Sequence, residues 1–138
     1  MKIFQLIQIF VLVLIVCCSC TNQGKAKKND VPDLYTAEIM FNDSIHDFGN
    51  ISQRNSPYSH TFTLENIGNI PAVILHIIPS CRCTSITYGK KPIMVNGTDS
   101  LTVYFDTMES GKGYFDKTVK IKINSHKIYC VRIKGMVI

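Results

Sequence analysis

From about Tyr35 onward the chain alternates apolar and polar side chains with period two, and this constrains its fold more than any other feature. In "SLTVYFDT" (100–107), Leu101, Val103 and Phe105 alternate with Thr102, Tyr104 and Asp106. In "YFDKTVKIKIN" (114–124), Phe115, Val119, Ile121 and Ile123 oppose Lys120 and Lys122. In "YCVRIKGMVI" (129–138), Tyr129, Val131 and Ile133 oppose Cys130, Arg132 and Lys134, and "YSHTFTLEN" (58–66) sets Phe62 and Leu64 against Thr61, Thr63 and Glu65. Successive side chains of a strand point to opposite faces, so such alternation predicts strands with one buried and one wet face. The run "AVILHII" (72–78) does not alternate, and reads as a strand covered on both sides or central in its sheet.

Turn signals separate these segments: Phe48-Gly49-Asn50, Asn66-Ile67-Gly68-Asn69, Tyr88-Gly89-Lys90, Asn96-Gly97 and Gly111-Lys112-Gly113. No stretch has helical period. Strands are predicted at 37–41, 58–66, 72–78, 83–88, 100–107, 114–124 and 128–137, seven in all. Seven short strands in such a length predict an all-β, immunoglobulin-like sandwich over residues 35–138. The chain has no Trp, so the antibody core of two cysteines around a tryptophan is excluded.

The first nineteen residues are a different kind of sequence. Lys2 precedes the apolar run IFQLIQIFVLVLIV (3–16), which is followed by Cys17, Cys18, Ser19 and Cys20. A positive residue before a short apolar run is an export signal, and the run is shorter than the roughly 20 residues of a membrane-spanning helix. The junction resembles a bacterial lipoprotein signal, in which a small residue precedes a cysteine that is lipidated. Ser19 then Cys20 fits best, although Cys17 stands where that signal usually has Leu. Residues 1–19 are thus expected to be removed, with Cys20 lipidated and residues 20–34 (CTNQGKAKKNDVPDL) forming a flexible tether. Lipoproteins that reach the cell surface in bacteroidetes-type bacteria often carry acidic residues just after the Cys; here the first is Asp30, so the resemblance implies a periplasm-facing position in the cell envelope rather than the cell surface.

The formal net charge is +5, and removing the first nineteen residues takes away only Lys2 among the charged side chains. The remaining basic residues are scattered rather than clustered among exposed aromatics, which argues against nucleic acid as a partner.

Six segments carry a resemblance: "HDFGNI" (46–51), "FTLENIGNIPAVI" (62–74), "SCRCT" (80–84), "IMVNGTDSLTVYFDT" (93–107), "GYFDKTVKIKIN" (113–124) and "VRIKG" (131–135). In that order they resemble a domain-of-unknown-function family of bacteroidetes-type bacterial lipoproteins. That family is related to Hydin-type (ASH) and PapD-like immunoglobulin folds. Its pattern is His-Asp-Phe-Gly, Phe-x-Phe-x-Asn-x-Gly, Cys-Gly-Cys-Thr and a Pro-Gly turn. Here Arg82 replaces the Gly between the cysteines, and Val95-Asn96-Gly97 replaces the Pro-Gly turn. The resemblance implies structural roles for His46, Asp47, Phe48, Gly49, Asn66, Gly68, Thr84 and Gly135. Asp47 is expected to accept backbone N–H bonds at a corner, with Phe48 plugged into one end of the core. Asn66 is expected to bond its own backbone, and Gly68 to supply a positive φ.

Three thiols lie beyond the signal: Cys81, Cys83 and Cys130. An exported protein can form disulfides. In a straight strand, residues two apart lie about 6–7 Å from each other, too far for a bridge, so a Cys81–Cys83 pair requires a kink. Such a small ring suits a redox-active pair. The alternative joins one of the two to Cys130, which alternation places on the wet face. A structural zinc needs about four ligands. The available side chains are the three cysteines and His46, His60, His76 or His126, without a second ligand pair in the sequence, so no metal and no cofactor are expected. Structural cysteines rank first, a thiol–disulfide pair second. Asp43-Ser44-Ile45, Asp99-Ser100-Leu101 and Asp106-Thr107-Met108 fit a three-residue O-glycosylation pattern, with Ser44 the most exposed of the three acceptors in expectation. The reading is a non-enzymatic, lipid-anchored module that contacts a membrane through Cys20 and a protein partner through its sandwich. The alternative is a thiol–disulfide protein using Cys81 and Cys83.

Overall fold

A computed structural model describes residues 35–138. The signal segment, Cys20 and the 20–34 segment lie outside the described residues. Eight strands form two four-stranded sheets packed face to face. They are β1 (Ile39–Phe41), β2 (Ile45–Ile51), β3 (Tyr58–Asn66), β4 (Ile74–Pro79), β5 (Thr84–Tyr88), β6 (Thr98–Phe105), β7 (Gly113–Ile123) and β8 (Ile128–Val137). The first sheet has the order β1-β3-β6-β5 and the second β2-β8-β7-β4. All pairings are antiparallel except β2 with β8, which is parallel.

The alternation in β3, β6, β7 and β8 translates directly into the core. Phe62, Leu64, Leu101, Val103 and Phe105 from the first sheet meet Val119, Ile121, Ile123, Val131 and Ile133 from the second, all essentially fully buried. Burying one such side chain contributes about 1.5–3 kcal/mol, so these strands hold the sandwich. Phe105 stacks on Phe115 across the sheets, with ring centroids 4.0 Å apart.

Three expectations change. The segment 45–51 is a strand, although Phe48-Gly49-Asn50 reads as a turn. Gly49 takes φ 64° and forms an irregularity between Asp47 and Asn50 in the pairing with β8, so the turn chemistry makes a bulge instead. The apolar run 72–78 is not central: β4 is an edge strand, with Leu75, His76 and Ile78 exposed. The strand expected to run through Thr107 stops at Phe105, because Asp106 caps a single helical turn, α1 (Thr107–Ser110). Its carboxylate accepts hydrogen bonds from Met108 N at 2.8 Å and Glu109 N at 3.4 Å.

Candidate functional site

The chain crosses from the second sheet to the first between β4 and β5, and there the two sulfurs lie. Ser80 N still donates to Thr118 O, as an extension of the second sheet, and Asp106 N donates to Cys83 O in the first. The turn between them brings the Cα atoms of Cys81 and Cys83 to 5.3 Å, and a disulfide joins them. This is the kink that the spacing demands. Arg82 does not take a positive φ, so the replacement of Gly carries no backbone penalty here. Cys83 is buried against the core and Cys81 partly so. The hydroxyl of Thr84, itself buried, lies 3.2 Å from Cys81 Sγ and 4.0 Å from Cys83 Sγ. Cys130 is a free thiol, exposed on the outer face of the second sheet, where alternation puts it. Among the described residues no group of three or more His, Cys, Asp or Glu is placed to hold a metal ion.

The His46–Gly49 corner closes the opposite edge. Gly49 N donates to Asp47 Oδ1 at 2.8 Å, and Lys134 Nζ lies 3.5 Å from Asp47 Oδ2. Both hold the Asp47 carboxyl below the usual range, the backbone bond contributing most. Phe48 packs between Tyr58 and Phe115, with centroids at 6.0 and 6.4 Å. Gly135 leaves the room this needs: a Cβ there would lie 2.8 Å from Gly49 O and 2.9 Å from Phe115 Cζ.

One feature of this edge is not legible in the sequence. His46 of β2 and His60 of β3 stack across the two sheets at 3.6 Å, and Asp43 Oδ2 lies 3.3 Å from His60 Nε2. With no strand predicted over 45–51, nothing in the sequence pairs these two histidines. Partial burial lowers the His46 pKa, the neighbouring His60 lowers it further, and Asp43 and Asp47 partly oppose them. A histidine with a folded-state pKa below its unfolded value is protonated first in the unfolded chain. Its contribution is therefore neutral above the unfolded value of about 6.5 and becomes a loss as pH falls below it. Urea midpoints measured from pH 7.5 down to pH 5 are expected to fall, and more shallowly in a His46→Gln variant.

Asn66 ties the turn after β3 to the loop before β6. It is fully buried, and its Nδ2 donates to Ile70 O and Ile93 O, each at 2.9 Å. Its Oδ1 accepts from Gly68 N at 3.0 Å. Gly68 is needed for close approach and not for a positive φ. A Cβ there would lie 2.3 Å from Thr36 O and 2.5 Å from Glu38 N. In the substituted turn, Asn96 takes φ 58°, a conformation Asn tolerates better than most residues.

Of the three glycosylation-pattern acceptors, Ser44 and Ser100 are exposed, while Thr107 is buried with its hydroxyl donating to Gln53 O at 3.0 Å. The third pattern is therefore closed to an enzyme.

A family model described as protein of unknown function, DUF1573, matches residues 39–137. The chain belongs to the DUF1573 family. No curated protein matches it. Among solved structures, a protein of unknown function from Porphyromonas gingivalis W83 is similar at TM-score 0.65 and 14% identity, over 78% of this chain and 51% of that one. The ASH/PapD-like domain 7 of human CEP192 is similar at TM-score 0.59 and 12% identity, over 86% of this chain and 96% of that domain. The Vibrio cholerae VesB protease is similar at TM-score 0.58 and 15% identity, over 72% of this chain and 31% of the protease. The DUF1573 chain thus spans about half of the first protein and under a third of the protease. At these identities the likeness concerns fold: this DUF1573 domain is an eight-stranded sandwich of the PapD-like/ASH kind.

Proposed function

We propose that the chain is a non-enzymatic envelope lipoprotein, held by a lipid on Cys20 on the periplasmic side, whose single domain works by contact with another protein. The lipid anchor rests on the export-signal pattern ending in Ser19-Cys20. The contact reading rests on one observation, the state of the sheet edges. β1 has only three residues, β2 is bulged at Gly49, and β4 has a register shift and ends at Pro79. These are the devices that discourage a further strand. β5 has none: it is an edge strand, it pairs with β6 without interruption from Thr84 to Tyr88, and it contains neither Pro nor a charged residue. An extended segment of a partner can add to such an edge through its main chain.

Crosslinking and capture from intact envelopes tests both parts. A Ser85→Lys/Thr87→Lys variant, charged on two exposed positions of β5, is expected to fold and to lose the captured protein. Undiminished capture would refute the edge. Cys20→Ala is expected to release the protein from the membrane fraction, and continued sedimentation after processing would refute the anchor.

The second reading is thiol–disulfide exchange, favoured by the partial exposure of Cys81 beside a buried Cys83. Alkylation without reductant, followed by mass spectrometry, separates the two. A pair that is oxidised throughout the population supports a structural bond, and a mixed population supports exchange.

A further inference from the structure

The two ends of the sandwich differ in character. The first described residue, Tyr35, lies at the end formed by the loops 67–73, 89–97 and 124–127. Those loops are bound into one surface. Asn96 N donates to Asn66 O and Asn69 N to Thr36 O, at 2.9 and 3.1 Å. Asn124 accepts from Val73 N at 2.8 Å and donates to Pro71 O at 3.1 Å.

This end is apolar at its tips and basic around them. Tyr35 is 71% exposed, Met94 63%, Ile67 46% and Val95 40%. The three loops contain Lys90, Lys91 and Lys127 and no Asp or Glu. Three acids border these loops. Glu38 pairs with Lys127, Glu65 lies on β3 beside Met40, and Asp99, which accepts from Ser100 N at 2.7 Å, lines the same pocket as Lys90 and Lys91. Lys90 Nζ lies 3.5 Å over the Tyr88 ring, so Lys91 is the freer of the two for a headgroup. The loops of the far end (52–57, 80–83 and 106–112) mix Arg54, Arg82 and Lys112 with Asp106 and Glu109.

We propose that the 35/67–73/89–97 end docks on the bilayer surface, with Met94, Val95 and Ile67 at the acyl boundary and Lys90 and Lys91 on the phosphates of anionic headgroups. Basic side chains beside exposed apolar ones have the chemistry of interfacial membrane contact. The proposal rests on the lipid-anchor reading, which also supplies the geometry. A coil of the length of 20–34 reaches about 20 Å, and it joins the domain at this end. The anchor therefore holds this surface next to the membrane and leaves β5 accessible along the side.

The chain has no Trp, so a single indole reports position cleanly. The full lipidated protein carrying Met94→Trp is placed in phosphatidylglycerol vesicles with brominated acyl chains and floated on a density gradient. Met108→Trp, in α1 at the far end, is the comparison. The expected result is co-flotation of both proteins, with a blue shift and bromine quenching for Met94→Trp alone. Lys90→Glu/Lys91→Glu added to Met94→Trp should abolish the quenching without changing flotation, and phosphatidylcholine vesicles should weaken it. Flotation with an unquenched Met94→Trp indole, or equal quenching at both ends, overturns the docking while leaving the anchor intact. Failure to float refutes the anchor, and the docking falls with it.

Discussion

Replacing Asn66 with alanine is expected to lower stability by about 3 kcal/mol, as the loss of three hydrogen bonds made by one fully buried side chain. Ile70 O, Ile93 O and Gly68 N would each lose their side-chain partner. Gly68 N keeps Glu38 O and Ile93 O keeps Ala72 N as backbone partners, so the cost is that of the lost bonds, about 0.5–1.5 kcal/mol each. For a domain of this size that corresponds to a melting temperature about 12 °C lower or more. Asn66→Asp restores the acceptor for Gly68 N and supplies no donor, so it should not rescue. Thermal unfolding followed by circular dichroism checks this. A shift of only a degree or two would mean that the turn 66–70 and the loop 89–97 hold together without Asn66.

Phe105→Ala should cost about as much for a different reason. The ring is fully buried and stacks on Phe115 of the other sheet. Its residue is in register with Tyr58 on one side and Thr84 on the other. Removing it opens a cavity between the sheets at the end where Cys83 and Phe48 also pack. Phe→Ala in a core costs about 3–5 kcal/mol, a large part of the roughly 5–15 kcal/mol by which domains are stable. Urea unfolding of Phe105→Ala against Phe105→Leu reads it: the leucine variant should recover much of the loss. Equal midpoints for wild type and Phe105→Ala would place the core elsewhere.

The sandwich was legible wherever one face of a strand is wet, because alternation then writes the burial pattern into the residues. That is why β3, β6, β7 and β8 match their expected positions closely. The pattern fails where burial is decided by neighbours. The run before Pro79 is apolar whether or not another strand covers it, so its edge position could not be read. β2 was hidden because Asp47-Phe48-Gly49-Asn50 has turn chemistry, and only pairing with β8 beside the space left by Gly135 makes it a bulged strand. Gly68 shows the same limit: the residue was readable as special, but not whether a positive φ or the approach of Thr36 and Glu38 requires it. At the sulfurs, the spacing demanded a kink but left the partner of each cysteine open. The crossover between the sheets decides it.

Whether the sulfur pair packs or reacts is tested most directly by trapping. In a Cys130→Ser background, Cys83→Ser leaves the partly exposed Cys81 as the sole thiol of the domain, ready to hold any protein that exchanges with the pair. On non-reducing gels of intact envelopes, the contact account predicts no discrete adduct beyond that of a Cys81→Ser/Cys83→Ser control. A discrete mixed disulfide with one envelope protein, released by reductant, would contradict it.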